Sequence, residues 1–298
     1  MKKNQGHIDE ISPMRCRISG IGAWGPGFSN WAELRSQLGH TEKNCKRPAT
    51  KIETASPRPE IIPANERRRA PLPVKIAIEA STQALNMSGL DPASVACVFG
   101  SGLGDTEITD YMCRAVNAQA PKLSPTKFHN SVHNAAAGYW TISTKCMKSA
   151  NSIAGYTNTV GLCLLEGISI CLTDSAPVLI TVFDAAASNT YRELFDCQDS
   201  FAAAILISPE DMISNKPDIA TLSIRSSNTE HVTPALANSK LDTLCDTNPA
   251  AKMLLLLEQL VILEENEMNF TNAVSFGISS GSDLACTLFS DDHSRDKL

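Results

Sequence analysis

The residues best placed for chemistry lie in one short polar stretch, where Ser149, Asn151 and Ser152 precede a long apolar segment. The apolar spacing predicts a buried helix from Ile153 to Leu172. The polar stretch would then lie at the N-terminus of that helix, where free N–H groups and the helix dipole favour a polar or negatively charged group. A serine at this point can serve as an acyl acceptor, whereas Asn151 and Ser152 are more typical of helix caps.

Two histidines, His129 and His133, lie upstream of this stretch and are four residues apart. Either one can act as the base for a serine, provided that it lies within hydrogen-bond reach. If both were helical they could also share a metal ion, but no third ligand is spaced to join them. We therefore favour a role for both histidines in packing or at an interface, and we expect no metal and no cofactor.

The surrounding elements form a helix–turn–helix–strand unit: a helix from His133 to Ser143, an extended turn from Met147 to Ser152, the apolar helix, and a buried strand from Val178 to Phe183. Strands that alternate with helices predict an α/β protein. Several strands are continuous apolar runs, which predicts a largely parallel sheet covered on both faces. Further strands are predicted at Cys16–Gly20, Val95–Phe99, Phe201–Ser208, Ile219–Arg225, Ala273–Phe276 and Asp283–Phe289, and further helices at Trp31–Leu38, Val74–Met87 and Ala250–Glu265, the last capped by Asn248.

Composition excludes several classes of function. The net charge of −6 comes without a basic block, which argues against binding to nucleic acid. The ten cysteines lack CxxC spacing and are expected to be reduced thiols in a cytoplasmic protein. No apolar run is long enough for a membrane span, and the N-terminus lacks the apolar core of a signal peptide.

The order of the elements and several motifs resemble the β-ketoacyl synthases of the thiolase fold. The motifs are ISGIGAWGPGFSNWAELRSQL at 18–38, VACVFGSGLGD at 95–105, LSPTKFHNSVHNAAAGYW at 123–140, ELFD at 193–196, HVTP at 231–234 and SFGISSGS at 275–282. The resemblance implies an α/β, thiolase-like (ketosynthase) fold with one domain over 1–298. Its N-terminal half, 1–210, would be complete, and its C-terminal half, 211–298, would be truncated.

The departures from this family bear on function. Ketosynthases carry a nucleophilic cysteine at the start of the buried helix, yet no cysteine lies between Cys146 and Cys163, and the matching region is assigned to Asn151 and Ser152. The family's two catalytic histidines have no counterpart between His231 and His293. The resemblance therefore implies a chain without catalytic residues of its own.

Two classes of function follow. The first is a non-catalytic subunit, similar to the chain length factors of type II polyketide systems and to the shortened ketosynthase-like subunits of aryl polyene biosynthesis. It would pair with a catalytic β-ketoacyl synthase and meet acyl carrier protein through the complex. The second is an acyltransferase or thioester hydrolase with a serine nucleophile that acts on acyl-carrier-protein substrates. A dinucleotide-dependent oxidoreductase is a third and weaker class, because Asp105 would face the pyrophosphate in the glycine-rich turn at 100–105.

The first class makes specific residues candidates for contact with the partner. The dimer-facing segments would be Phe128–Tyr139, Met147–Ser152 and Val178–Asp184. Candidates for the tunnel or the interface are Phe128, His129, Val132, His133, Asn134 and Tyr139, and the closing C-terminal loop would contribute Phe276 and Gly277.

Overall fold

A computed structural model describes residues 13–38, 54–118, 122–213, 216–227 and 235–290, and the structural statements below concern these residues. Their strands form one eight-stranded sheet in the order β3-β2-β4-β5-β1-β6-β8-β7. The strands are β1 (Met14–Trp24), β2 (Ala96–Gly100), β3 (Ala150–Ile153), β4 (Val178–Asp184), β5 (Phe201–Ser208), β6 (Ala220–Ser227), β7 (Val274–Ser279) and β8 (Ser282–Phe289).

Helices cover both faces of this sheet. They are α1 (Trp31–Leu38), α2 (Ala64–Arg69), α3 (Leu72–Ser88), α4 (Thr106–Val116), α5 (Pro125–Asn130), α6 (Ala135–Thr144), α7 (Thr159–Asp174), α8 (Ser239–Thr247) and α9 (Met253–Glu265). Short 3₁₀ turns lie at Pro92–Ser94, Tyr156–Asn158 and Pro249–Lys252. In the described part of the chain, no helix has the length and apolar character needed to cross a membrane.

The sheet is mixed, so the prediction of a largely parallel sheet is wrong. Only β2 pairs in parallel, with β3 on one side and β4 on the other. The pairs β1–β5, β1–β6, β4–β5, β6–β8 and β7–β8 are antiparallel. A continuous apolar run indicates that a strand is buried on both faces, and β4 and β5 are buried in this way. Such a run carries no information about the direction of the strand relative to its neighbours.

Two hydrophobic clusters fill the two sides of the sheet. In β4, Val178, Ile180 and Val182 pack in the cluster that contains α7 and α9, whereas Leu179 and Phe183 pack in the cluster that contains α3 and α6. This alternation follows from the period of two along a strand. All seven residues of β4 are buried, so the prediction of a buried strand at Val178–Phe183 is confirmed.

Several helix ends follow the sequence signals. The left-handed residue Gly89 ends α3, and the side chain of Asn248 caps the next segment by accepting hydrogen bonds from the N–H groups of Ala250 and Ala251. That segment starts as a 3₁₀ turn and becomes α9 at Met253. The helix predicted from His133 to Ser143 corresponds to α6, which begins two residues later, at Ala135; His133 lies in the turn between α6 and the preceding helix α5.

The two halves of the chain contribute unequally. Within the described residues, the first half supplies β1 to β5 and the second half supplies β6, β7 and β8. This division agrees with the expectation of a complete first half and a reduced second half. The HVTP motif at 231–234 lies outside the described residues.

Candidate functional site

The junction between β3 and α7 forms the centre of the candidate site. The chain leaves β3 at Ile153 and enters α7 only at Thr159. In between, Tyr156 has a φ of 49°, a left-handed conformation that is costly for a residue other than glycine. The Thr159 hydroxyl holds the turn by donating to the carbonyl of Tyr156 (2.8 Å) and accepting from the N–H of Gly155 (3.0 Å).

This geometry corrects the assignment of the helix start to Asn151 and Ser152. Both residues lie in the strand β3 and neither caps α7. The Asn151 amide donates to the carboxylate of Glu166 (2.5 Å), and among the described residues the buried Ser152 hydroxyl has no hydrogen-bond partner. The predicted helix start is too early because the apolar Ile153 fits the helical pattern. Gly155 and the Asn158–Thr159 pair are the signals in the sequence that mark the start of α7.

The structure places Thr157 and Asn158 at the start of α7, beside a cavity of about 430 Å³. The lining also includes three carboxylates, one lysine and one cysteine: Asp242, Asp246, Asp283, Lys252 and Cys245. Among the described residues the lining contains no histidine. Burial raises the pKa of the Cys245 thiol to about 11, so this cysteine is protonated at neutral pH.

Phe276 and Gly277, which the sequence assigns to the closing C-terminal loop, lie instead in the strand β7, on one side of this cavity. Both residues line the cavity together with Ser275. The contact with α7 is tight, because a Cβ atom added at Gly277 would lie 2.5 Å from Oδ1 of Asn158. The expected loop is therefore part of the β7–β8 hairpin, since β7 continues through Gly277 to Ser279 before the turn.

A fully buried carboxylate, Asp184 at the end of β4, fixes the neighbouring loops. It accepts hydrogen bonds from the Ser101 hydroxyl (2.7 Å) and from the N–H groups of Gly102 (3.1 Å) and Leu103 (2.8 Å). The Asn248 amide donates to the backbone carbonyl of Asp184 (3.1 Å). Burial raises the pKa of the Asp184 carboxyl to about 6, and the hydrogen bonds from Ser101, Leu103 and Gly102 offset part of this rise.

The glycine-rich turn at 100–105 binds the Asp184 carboxylate and begins the helix α4. Asp105 caps α4 by accepting a hydrogen bond from the N–H of Ile108 (2.9 Å). The preceding N–H groups, those of Gly102 and Leu103, point to Asp184. This arrangement is a strand-to-helix turn, and the N–H groups that a dinucleotide phosphate would require are already used.

The candidate tunnel and interface residues lie away from the cavity, on α5, on α6 and in the turn between them. Phe128 and Val132 are 58% and 51% exposed, and His129, His133 and Asn134 are also exposed. Tyr139 is half-buried, and its hydroxyl donates to Oδ1 of the buried Asn130 (3.1 Å). The structure thus groups the aromatic and histidine candidates on one surface and separates them from the start of α7. Each candidate lies as follows: Phe128 and His129 in α5, Val132, His133 and Asn134 between the helices, and Tyr139 in α6.

The helix α6, which carries Tyr139, packs against β3 at one end of the sheet. Within the described residues β3 pairs only with β2, so β3 is an edge strand with one uncovered side. The helix α6 lies against one face of this part of the sheet and α7 against the other. By contrast, β4 is interior, so the expectation that Val178–Asp184 faces a partner is wrong.

Comparisons with known proteins agree with this architecture. The chain is similar to chains of three solved complexes: the ketosynthase (ApeO) in complex with its chain length factor (ApeC) from Xenorhabdus doucetiae, the ishigamide ketosynthase/chain length factor, and AntDE:AntF, a type II PKS acyl-carrier protein in complex with its ketosynthase bound to the hexaketide. The TM-scores are 0.65, 0.69 and 0.71 and the identities 16%, 13% and 14%. The matches cover 93%, 94% and 93% of this chain and 99% of each matched chain.

At these identities the structural likeness establishes the fold, which is the thiolase-like fold of ketosynthases. No curated protein matches the sequence. The family of β-ketoacyl synthase N-terminal domains, however, matches residues 41–288, which is most of the chain. The chain therefore belongs to the β-ketoacyl synthase family.

Proposed function

We propose that this chain is a non-catalytic, chain-length-factor-like subunit. It pairs with a catalytic β-ketoacyl synthase and shapes the acyl tunnel of that partner, in aryl polyene or type II polyketide (fatty-acid-like) biosynthesis. Acyl carrier protein meets the complex through the catalytic partner.

The observations that carry this proposal are the uncovered side of β3 and the exposed apolar side chains on α5, on α6 and in the segments that follow each of these helices. We call this the partner surface and define it as the outer edge of β3 together with Phe128, Val132, Ile142 and Met147. Ile142 and Met147 are 78% and 93% exposed. An edge strand presents unpaired N–H and C=O groups, and exposed apolar residues beside it are typical of an interaction site.

The chemistry at the start of α7 supports an accessory role. The junction offers the hydroxyl of Thr157 where a ketosynthase has its cysteine thiolate, and the nearby thiol of Cys163 is buried, which raises its pKa. The two histidines that the structure describes, His129 and His133, lie on the α5–α6 side rather than in the cavity lining. A hydroxyl without a base is a poor nucleophile for an acyl thioester.

The geometry gives little support to a serine acyltransferase or hydrolase. Ser152 lies in β3 with its hydroxyl buried. Among the described residues, neither Ser149 nor Ser152 forms a hydrogen bond to a histidine or carboxylate that would activate it. Geometry must bring a base within reach before its pKa matters.

The neighbourhood of the partner surface also suits a role at the tunnel. Phe128, His129 and His133 present exposed side chains, while the segment behind them is held firmly. The Tyr139 hydroxyl donates to Asn130, and the Asn130 amide in turn donates to the carbonyl of Arg69 (3.1 Å). Rigid backbone with exposed aromatic groups is what a tunnel end formed across an interface requires.

The interface is tested by one substitution on the partner surface and one matched control. Ile142→Asp places a charge on α6 beside the edge strand, whereas Ile213→Asp places the same charge after β5, at an isoleucine that is still more exposed, 93% against 78%. We expect Ile142→Asp to weaken the complex with the co-purified ketosynthase by tenfold or more, because a carboxylate would be desolvated on association. Ile213→Asp should bind as the wild type does, and equal affinities for both variants would contradict the proposed interface.

The tunnel role is tested with the product of the assembled complex. Phe128→Ala removes a large side chain at the partner surface, so we expect a shift in product length with the complex intact. Chromatography of the products and the mass of the complex give the two readouts. An unchanged product distribution across Phe128→Ala, His129→Ala and His133→Ala would remove the tunnel role but leave the subunit role untouched.

A further inference from the structure

The side of α7 that the core leaves uncovered carries one charged side chain before the end of the helix. Several residues there are only half-buried or exposed, namely Leu162, Leu165, Ser169 and Leu172, and these are apolar or small. Glu166 lies among them and is also half-buried. The next carboxylate along the helix, Asp174, is exposed at its C-terminal end. Glu166 is therefore the charge that a partner covering this helix would bury.

A hydrogen bond ties Glu166 to the edge of the sheet. The Asn151 amide in β3 donates to the Glu166 carboxylate (2.5 Å). Asn151 is in register with Val98 of β2, whose side chain packs in the cluster that contains α7. The pair thus lies on the α7 face of the sheet, directly at its uncovered edge. Among the described residues, no lysine, arginine or histidine forms an ion pair with Glu166.

Pairing across this edge would bring the pair close to a symmetry axis. Suppose that the β3 strands of two copies of this chain paired antiparallel about a two-fold axis perpendicular to the sheet. The α7 faces of both copies would then lie on the same side of the joined sheet. In an antiparallel pair, residues directly opposite each other point to the same face of the sheet. The four residues of β3 can therefore overlap almost fully in two registers, with the axis next to Asn151 in one and next to Ser152 in the other. In both registers the two copies of Asn151 lie within two residues of the axis. The two Glu166 carboxylates, each bonded to an Asn151, would then face each other across a covered interface.

We propose that the Asn151–Glu166 pair selects the partner of this chain. It disfavours pairing of two copies, because two partly desolvated carboxylates repel each other. It favours a ketosynthase strand that brings a lysine or arginine side chain to the same face, because that cation would compensate the buried charge. This inference rests on the proposed function for the identity of the partner, whereas the disfavoured self-pairing rests on the geometry of this chain alone.

The test compares two substitutions of Glu166 with a control on the same helix. Glu166→Gln removes the charge and keeps an oxygen for the Asn151 amide, Glu166→Lys reverses the charge, and Asp174→Asn removes the other carboxylate of α7. Sedimentation velocity of each purified chain measures self-association. Titration with the co-purified wild-type ketosynthase, at low and high salt, measures the affinity of the complex. Circular dichroism establishes that each variant is folded.

We expect Glu166→Gln to strengthen self-association about tenfold or more, and Glu166→Lys to weaken the complex by at least as much. The complex with Glu166→Gln should also lose most of its salt dependence, which carries the test if Glu166→Lys does not fold. Asp174→Asn should change neither affinity more than twofold. Self-association of Glu166→Gln no stronger than that of the wild type would overturn the inference, as would a complex whose affinity and salt dependence are insensitive to residue 166.

The two proposals fail in different ways. A wild-type chain that binds no ketosynthase contradicts the proposed function, and the self-association of Glu166→Gln, which needs no partner, then decides the present inference by itself. A wild-type complex that forms normally while residue 166 has no effect keeps the proposed function and removes the selection by Glu166.

Discussion

At the scale of single residues, the start of α7 presents the hydroxyl of Thr157, to which the proposed function assigns no catalytic role. Thr157 follows the left-handed Tyr156 and precedes the first turn of α7, where the helix dipole stabilises a negative charge. A cysteine at this point would be a thiolate more often than a cysteine elsewhere. The helix start therefore offers electrostatics that would stabilise a thiolate, while the side chain at position 157 is a threonine.

This view predicts the reactivity of an introduced thiol. Thr157→Cys should be alkylated by iodoacetamide at pH 7 about tenfold faster than Ser152→Cys, because position 157 is exposed beside the helix N-terminus, whereas residue 152 is half-buried in a strand with its Oγ atom buried. Peptide mass spectrometry separates each site from the exposed native Cys113, which serves as the internal reference. Equal rates at 157 and 152 would contradict the placement of the helix start.

Asp184 is the residue on which the loops around the cavity depend. Asp184→Asn would place an amide donor against donors that now point at a carboxylate oxygen, namely the Ser101 hydroxyl and the N–H groups of Gly102 and Leu103. We expect the free energy of unfolding to fall by about 2–4 kcal/mol. Denaturant titration measures the change. Asp196→Asn is the control. Asp196 is exposed, and within the described part of the chain its carboxylate accepts a hydrogen bond only from the side chain of Gln198.

The same carboxylate predicts a dependence of stability on pH. Its pKa of about 6 in the fold lies above the ordinary value of 3.8. Between these two values the folded chain binds a proton that the unfolded chain has lost, so this group makes the free energy of unfolding fall as the pH rises through that window. Asp184→Asn should lack this component of the slope. Parallel slopes for wild type and variant between about pH 4 and 6 would contradict the shifted pKa.

At the scale of elements, the close approach of α7 to the β7–β8 hairpin sets the shape of the candidate site. A Cβ atom at Gly161 would lie 2.4 Å from the carbonyl oxygen of Gly277, so only a glycine lets the helix approach this near. Gly138 in α6 offers the opposite case, since a Cβ atom there would meet nothing within 4 Å. The two helical glycines therefore serve as a matched pair.

Replacing each glycine by alanine should move stability in opposite directions. Gly161→Ala forces backbone apart and should lower the free energy of unfolding by about 1–3 kcal/mol or more. Gly138→Ala improves helix propensity without a clash and should raise it by about 0.5–1 kcal/mol. Denaturant titration of both variants gives the answer, and destabilisation by Gly138→Ala equal to that by Gly161→Ala would contradict the close contact.

Some of the helices and strands are predictable from the sequence, and others are not. The apolar runs at Val178–Phe183 and Phe201–Ser208 identified β4 and β5 correctly, because burial on both faces leaves a direct trace in composition. The start of α7 was placed six residues too early, because Ile153 fits a helix and a strand equally well. That β3 lies at the edge could not be predicted from its own residues, since its position is fixed by pairing with the distant β2.

At the scale of the whole molecule, the sheet of the described residues has a buried centre and two edge strands, β3 and β7. The first half forms β3-β2-β4-β5-β1, the second half extends the sheet through β6-β8-β7, and α7 and α9 pack in the same buried cluster. The β3 end packs against α6, which carries the exposed Ile142 of the partner surface. The proposed function requires that this chain contribute such a surface to an assembly whose catalytic partner supplies the nucleophile.

The most direct measurement is reconstitution of the partner's condensing activity with and without this chain. The tagged chain is purified from its host, the mass of the native complex is determined, and turnover of malonyl-carrier substrate is measured for the complex and for each chain alone. The account predicts a one-to-one complex with a ketosynthase that retains its active-site cysteine. The complex should turn over substrate, and this chain alone should not. Turnover by this chain alone, or a ketosynthase equally active and equally stable without it, would contradict the account.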